Sequence, residues 1–279
     1  MRRIASVTTV LVIIIWPAAM AWSATDQPTG LAAYVLMMPE FTWLTKPSAH
    51  FRIHYLPGSA AEKDIEVLLR QNEASLASHL AILQTSSYDR TIDIFYFDSR
   101  DQIKKVVMKP FRALADAKSM TVLAVRNHEE VARDAHEIMH VVSYDLWGKW
   151  DNRDELAWLG EGLATYADKP CNGHNMTELA AHLMKNTSNT PPLDSLAMEF
   201  RKYPEMIGYP LMASFVEFVL ERFGPEYLHR LWLADYADLG KILGEDRSAI
   251  EQQWREYVLG RYPLPSVPDW AELQEHGCR

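Results

Sequence analysis

Hydrophobic and polar residues alternate through residues 50–56, and Pro57 and Gly58 end the alternation. A period of two is typical of a strand with one buried face. Two further short apolar runs, residues 92–97 and 120–125, also have the pattern of strands. The first half of the chain is therefore predicted to contain three strands.

The remaining apolar positions recur at helical spacing. Residues 59–83 carry apolar side chains three and four positions apart, which predicts a long amphipathic helix, and residues 102–108 predict a short one. After residue 128 the strand signals end, and helical patterns follow over 129–147, 153–168, 174–186, 209–223, 226–236 and 247–259. Prolines after Tyr262 exclude a regular helix there before Asp269.

This order of elements predicts an α+β fold, in which a small mixed sheet precedes a mainly helical half. We expect a lead-in segment over residues 24–47, with room for one short helix. A sheet subdomain over 48–128, a helical subdomain over 129–261 and a Pro-rich tail over 262–279 follow it.

The N-terminal segment has the three parts of a secretory signal peptide. Two arginines precede an apolar run over residues 4–16, and small residues follow. Cleavage after Ala21 or after Ser23 matches the pattern, so residues 1–23 are predicted to direct export to the periplasm or the medium. Residues 4–22 are also just long enough to span a bilayer. An uncleaved anchor is the alternative, and membrane contact is expected only in that case.

Composition narrows the classes of function. Of the 279 residues, 48% are apolar and 23% charged, which is typical of a globular protein. The 28 Lys and Arg residues are outnumbered by 37 Asp and Glu residues, and the formal charge is -9. A nucleic-acid partner is not expected, because binding phosphates requires a concentrated basic face.

The chain has only two cysteines, Cys171 and Cys278, too few for a disulfide scaffold or a four-cysteine zinc site. In an exported chain, one disulfide between them is favoured. Two separate thiols are the alternative.

Candidate metal-binding and catalytic residues lie where the two halves join, in the segment His136-Glu137-Ile138-Met139-His140. On a helix, residues four apart lie on one face about 6 Å apart, so both imidazoles can reach one zinc ion. The carboxylate of Glu137 then faces a water molecule bound to that ion. This HExxH pattern is the zinc-peptidase signature. Two helix histidines beside an apolar core would be the ordinary structural explanation.

A catalytic zinc ion needs a third protein ligand and an open position. Twenty residues separate His140 from Glu161, which lies between Gly160 and Gly162 in a helical pattern. Each helix glycine costs about 1 kcal/mol relative to alanine, and together they make a thin helix that can approach another backbone. A carboxylate on such a buried face is costly unless it is paired or bound to a metal. Glu161 is the candidate ligand; a solvent-facing acid is the alternative.

The two motifs together resemble those of the gluzincin zinc metallopeptidases. The resemblance is to the peptidase MA-like families and to the aminopeptidases that share a WLxEGxAxY segment, here residues 158–166. It implies a thermolysin-like catalytic domain. It also implies one zinc ion per chain, held by His136, His140 and Glu161.

The sequence departs from these families at two points. Thermolysin has an aspartate four residues after the ligand glutamate, where this chain has Thr165, so the outer partner of the zinc histidines is unassigned. The aminopeptidases carry a GxMEN segment before HExxH, whose glutamate captures the substrate's free amine. Nothing of that kind precedes His136. The comparison therefore favours an endopeptidase over an aminopeptidase.

Tyr209, between Gly208 and Pro210, resembles the family's tyrosine that begins a helix after the glutamate motif. The resemblance implies a phenol that donates a hydrogen bond to the developing oxyanion. A packing tyrosine at a helix start is the alternative.

We therefore expect an exported zinc metallopeptidase that acts on a protein or peptide substrate, with Glu137 as the general base. Residues 121–126, the strand before the zinc helix, are expected to offer a backbone edge to an extended substrate. A catalytically inactive, zinc-containing exported binding or scaffold protein is one alternative, and an aminopeptidase is the second.

Overall fold

The computed structural model describes residues 27–131, 133–148, 154–168, 170–186 and 190–278. The predicted signal peptide, residues 1–23, lies outside these ranges. Among the helices within them, none combines the length and the apolar character that crossing a membrane requires. The described chain is a mixed α+β structure with a small sheet and a mostly helical remainder.

A five-stranded sheet lies in the first half of the described chain. Its strands are β1 (Leu44–Pro47), β2 (Phe51–Tyr55), β3 (Ile92–Phe97), β4 (Ala113–Asp116) and β5 (Thr121–Val125). Their spatial order is β1-β2-β3-β5-β4, with the three central strands parallel and the two edge strands antiparallel to their neighbours. The three central strands are those that the hydrophobic pattern predicts.

The hydrophobic pattern does not predict the edge strands β1 and β4. Each has only four residues and is partly exposed, so neither carries the alternation or apolar run of the central strands. β1 falls within the segment expected to be a lead-in. Because β5 pairs with β3 on one side and with β4 on the other, the expectation that residues 121–126 offer a free edge is wrong. The edge strand on that side is β4.

Twelve α-helices lie within the described ranges. They are α1 (Gly30–Met37), α2 (Ala60–Ile82), α3 (Arg100–Val107), α4 (Asp134–Trp147), α5 (Asp154–Ala167), α6 (Met176–Asn186), α7 (Leu193–Met198), α8 (Glu205–Arg222), α9 (Pro225–Trp232), α10 (Leu239–Leu243), α11 (Arg247–Arg261) and α12 (Trp270–His276). The long helix predicted over residues 59–83 is α2. Its N-cap is Ser59, whose side chain accepts a hydrogen bond from the amide of Glu62.

Two helices near the candidate site begin at other residues than the pattern predicts. α4 begins at Asp134 rather than at 129, because the side chain of Asn127 accepts hydrogen bonds from the amides two and three residues later. These bonds hold the preceding residues in a turn. α8 begins at Glu205 rather than at 209 and continues through Pro210. Compared with the predictions, α8 therefore begins four residues earlier and α4 begins five residues later.

The sheet separates two apolar clusters. On one face, Phe51, Ile53 and Ile94 join a large core that includes buried residues of α2, α4, α5, α8 and α11. On the other face, Phe95 and Leu123 pack with buried residues of α1 and α3. The helices α4 and α5, which carry the candidate site, therefore belong to the larger core, and close packing there holds them in place.

Candidate metal centre

The HExxH segment lies in α4, whose apolar face anchors it in the core. Ile138, Met139 and Val142 are fully buried on that face. His136 and His140 lie one turn apart, and their Nε2 atoms are 3.1 Å apart. The two imidazole rings meet edge to face, with 81° between their planes. The helix thus brings two ligand nitrogens together.

Glu161 approaches the two histidines from α5. Its Oε2 atom lies 3.2 Å from Nε2 of His136 and 3.3 Å from Nε2 of His140. The side chains of His136, His140 and Glu161 are 14%, 5% and 13% exposed, so the group is largely buried but reachable from solvent. The neighbouring Gly162 lets α5 pack closely on α8, which sets the position of the carboxylate.

The three ligand atoms have the spacing that one metal ion requires. Their pairwise separations are 3.1, 3.2 and 3.3 Å. A tetrahedral zinc ion with bonds of about 2.0–2.1 Å holds its ligand atoms about 3.3 Å apart. Two histidine nitrogens and one carboxylate oxygen are also a donor set of catalytic zinc sites, with a fourth position left for water. His136, His140 and Glu161 could therefore hold a metal ion.

Charge and burial act in opposite directions on this group. Burial alone would raise the pKa of Glu161, but the charge of His140 and hydrogen bonds from both histidines lower it well below its usual range. Burial alone would lower the pKa of His136, but the hydrogen bond to Glu161 and the charges of Glu137 and Glu161 raise it overall. The carboxylate of Glu161 is therefore ionised at neutral pH, as a metal ligand must be.

Glu137 follows the first histidine ligand on α4 and is not among the ligand atoms of the metal group. Burial raises the pKa of its carboxyl, and the charges of His136 and His140 lower it by less. A carboxyl whose pKa lies above its usual value is a better proton acceptor at neutral pH.

Tyr209 lies beside the metal group. Its ring stacks on that of His136, with centroids 6.1 Å apart and 19° between the planes. Burial raises the pKa of its phenol, and the charge of Glu161, with which it also shares a hydrogen bond, raises it further. The phenol therefore keeps its proton at neutral pH and can donate a hydrogen bond. The expectation that Tyr209 begins a helix is wrong, because it is the fifth residue of α8.

Sequence reasoning missed Asp168, which immediately follows α5. Its side chain is 2% exposed and forms an ion pair with Arg133, which immediately precedes α4. The negative charge of Asp168 also raises the pKa of His136, by less than the charges of Glu137 and Glu161 do. The sequence could have indicated Asp168 through its position seven residues after Glu161, which is two helical turns further along the same face. Thr165, the residue that stands where thermolysin has aspartate, is buried in α5.

The two cysteines form a disulfide, with Cα atoms 4.9 Å apart. Cys171 and Cys278 lie in a small apolar cluster with Met206 and Leu273, and they are not among the candidate metal ligands. The bond joins the tail to the segment that follows α5.

No family model matches the sequence, and no curated protein is significantly similar to it. A solved structure of an aminopeptidase N family protein from Idiomarina loihiensis superposes with a TM-score of 0.33 and 8% sequence identity. The superposition covers 85% of this chain, which spans less than half (46%) of that chain's length. A likeness at this level assigns neither fold nor function.

Proposed function

We propose that the protein is an exported zinc metallopeptidase that hydrolyses peptide bonds as an endopeptidase. The proposal rests on one observation above all. Two imidazole nitrogens and a carboxylate oxygen lie 3.1–3.3 Å apart, and the carboxylate of Glu137 is next to one of these ligands along α4. A structural zinc site needs only its ligands, so the additional carboxylate favours hydrolysis.

The residues of the site have separate roles in hydrolysis, as metal ligands and as a general base. A zinc ion bound by His136, His140 and Glu161 would polarise the substrate carbonyl and lower the pKa of a water molecule to about 7. Glu137 accepts a proton from the attacking water and delivers it to the leaving amine.

Tyr209 supplies the remaining polar group. Its phenol donates a hydrogen bond to the oxyanion that forms on the substrate carbonyl. The contact with His136 supports this role, because it keeps the phenol beside the ligand atoms.

The outer edge of β4 is the proposed binding surface for the peptide. Within the described chain, β4 pairs with β5 alone, and it packs against α4, which carries the HExxH segment. Main-chain hydrogen bonds to an edge strand bind an extended peptide without selecting its side chains. A substrate bound there would lie on the strand that packs against α4, the helix with the HExxH segment.

Export and the endopeptidase preference have separate support. The disulfide between Cys171 and Cys278 is typical of proteins in oxidising compartments. The sequence before His136 lacks the segment with which the related aminopeptidases capture a free amine.

The test uses the disulfide-bonded full chain and two internally quenched peptides of one sequence, one with a free and one with an acetylated N-terminus. We expect internal cleavage of both, its loss with 1,10-phenanthroline and its recovery with added Zn²⁺. The Glu137→Gln variant, purified in the same way, controls for contaminating peptidases. Stepwise cleavage of the free peptide alone would identify an aminopeptidase. Zinc binding without cleavage of either peptide would identify an inactive zinc protein.

A further inference from the structure

Arg112 connects two segments that meet near the metal centre. Its Nη2 atom donates a hydrogen bond of 2.6 Å to the carbonyl of Val131, shortly before α4. Its Nη1 atom donates one of 2.7 Å to the carbonyl of Cys278, in the C-terminal tail. The Arg112 carbonyl accepts a hydrogen bond from the amide of Val125, which ties this residue to β5. One guanidinium thus holds the tail against the segment that leads into α4.

The tail is joined in turn to α5. The disulfide links Cys278 to Cys171, which lies three residues after Asp168. Asp168 pairs with Arg133, two residues after Val131. Covalent bonds and polar contacts therefore close a ring, called the clamp ring below, through Arg112, Val131, Arg133, Asp168, Cys171 and Cys278.

The clamp ring lies at one end of the pair formed by α4 and α5. α4 begins directly after Arg133, and α5 ends directly before Asp168. The other ends of the two helices are joined by residues 148–153. His136 lies in the first turn of α4, and Glu161 lies two turns before Asp168. The metal ligands thus lie between a chain connection and the clamp ring.

The geometry points to the clamp ring as a second device, beside the packing of α5 on α8, that holds α4 and α5 at a fixed separation. Arg112 and the disulfide are then positioning elements that raise the affinity for the metal. Metal ligands must be held within about 0.5 Å of their productive positions, and supporting contacts outside the ligands maintain that precision. The ligands come from two helices, so a shift of α5 relative to α4 separates Glu161 from both histidines. This inference rests on the proposed zinc site.

The experiment measures the zinc dissociation constant of the full chain by competition with a chromophoric chelator. Three variants are compared with the wild type: Arg112→Met, the double variant Cys171→Ser with Cys278→Ser, and their combination. We expect each of the first two to weaken zinc binding about tenfold, at the lower end of what supporting contacts contribute. We expect the combined variant to lose no more zinc affinity than either of the separate variants, because one break is enough to open the ring.

Arg255→Met is the matched control. Arg112 also pairs with Glu130, 3.7 Å away. Arg255 likewise donates a hydrogen bond to a carbonyl, that of Pro191 at 3.1 Å, and pairs with a carboxylate, that of Glu251, but it lies outside the ring. Its side chain is 29% exposed, against 24% for Arg112. Zinc affinity of this variant is expected to equal that of the wild type.

Melting temperatures of the metal-free proteins separate positioning from general stabilisation. Lower melting temperatures with wild-type zinc affinity in the ring variants would overturn the inference. If Arg112→Met does not fold, Arg112→Lys keeps the charge but can reach only one of the two carbonyls, and a smaller loss of affinity is expected. A wild type that binds no zinc would overturn the proposed site as well. A wild type that binds zinc, with ring variants that bind it equally, overturns the clamp ring alone.

Discussion

Gly162 on α5 stands directly against Met212 on α8. A methyl group in place of the Gly162 hydrogen would lie 3.0 Å from both the Cβ and the carbonyl oxygen of Met212. Few side chains in proteins make contacts that short, so an alanine at this position would force Met212 and its backbone to move by a few tenths of an ångström. Glu161 is the preceding residue of α5, so the same contact fixes how far its carboxylate reaches toward the histidines.

Gly162→Ala is therefore expected to push α5 away from α8. The free energy of unfolding should fall by about 1–3 kcal/mol, as for other overpacked sites, and zinc binding should weaken. Gly260→Ala in α11 is the control, because an added methyl group there would have no atom within 4 Å apart from its own chain neighbours and the adjacent helix backbone. It should raise stability by about 0.5–1 kcal/mol. Urea unfolding and zinc titration test both variants, and equal behaviour would refute the close contact.

One zinc ion per chain is expected to co-purify with the wild type. Glu161→Ala should lower the zinc affinity by orders of magnitude, because a three-ligand site loses its charged ligand. Glu256→Ala, on the exposed side of α11, should bind zinc normally. Elemental analysis and chelator competition give the stoichiometry and the affinity. Full zinc occupancy of the Glu161 variant would remove this residue from the site.

Glu137→Gln keeps the shape of the side chain and removes the base. Peptide hydrolysis should fall by about 10³ or more, because the general-base and transition-state roles are lost together. Zinc content should stay at the wild-type value, since Glu137 is not among the ligand atoms. Turnover comparable to the wild type would show that another group carries the proton.

Tyr209→Phe removes the phenol and keeps the ring that stacks on His136. If the phenol stabilises the oxyanion, kcat should fall by about 10² to 10³ while KM changes little. Tyr236→Phe is the control, because it removes a phenol that donates to Asp194 at 2.5 Å, outside the metal group. Near-wild-type turnover of a folded Tyr209 variant would leave packing as its role.

His79, fully buried in α2, gives an expected dependence of stability on pH. Burial lowers the pKa of His79 from 6.5 to about 4, and the nearby carbonyl of Ala167 opposes only part of that effect. The unfolded chain therefore binds the proton more tightly, and stability falls as the pH drops from 6.5 toward 4. Between pH 7 and pH 5 this group should cost the metal-free protein about 2 kcal/mol.

His79→Leu removes the titrating group and should lose about 2 kcal/mol less stability than the wild type over the same range. His276→Leu, at the exposed end of α12, is the control and should follow the wild type. Urea unfolding at pH 5, 6 and 7 with a chelator present gives the comparison. Parallel curves for the wild type and His79→Leu would show that folding does not shift the pKa of His79.

The sequence by itself determined the features that depend on neighbours along the chain. The hydrophobic pattern predicts the central strands β2, β3 and β5 and the long helix α2. An element with one buried face repeats apolar residues at its own period, so the pattern can be recognised without the tertiary structure. The spacing of His136 and His140 determined that both lie on one face of a helix, because that relationship is local.

Only the tertiary structure decided which distant segments meet. The edge strand β4 is too short to carry a pattern, so its pairing with β5, which corrects the expected substrate edge, depends on backbone hydrogen bonds between strands. The distance of 3.2 Å between Glu161 and His136 depends on how closely α5 packs on α8. The clamp ring likewise joins residues far apart in sequence. Such contacts follow from the complementarity of packed surfaces, which no local pattern encodes.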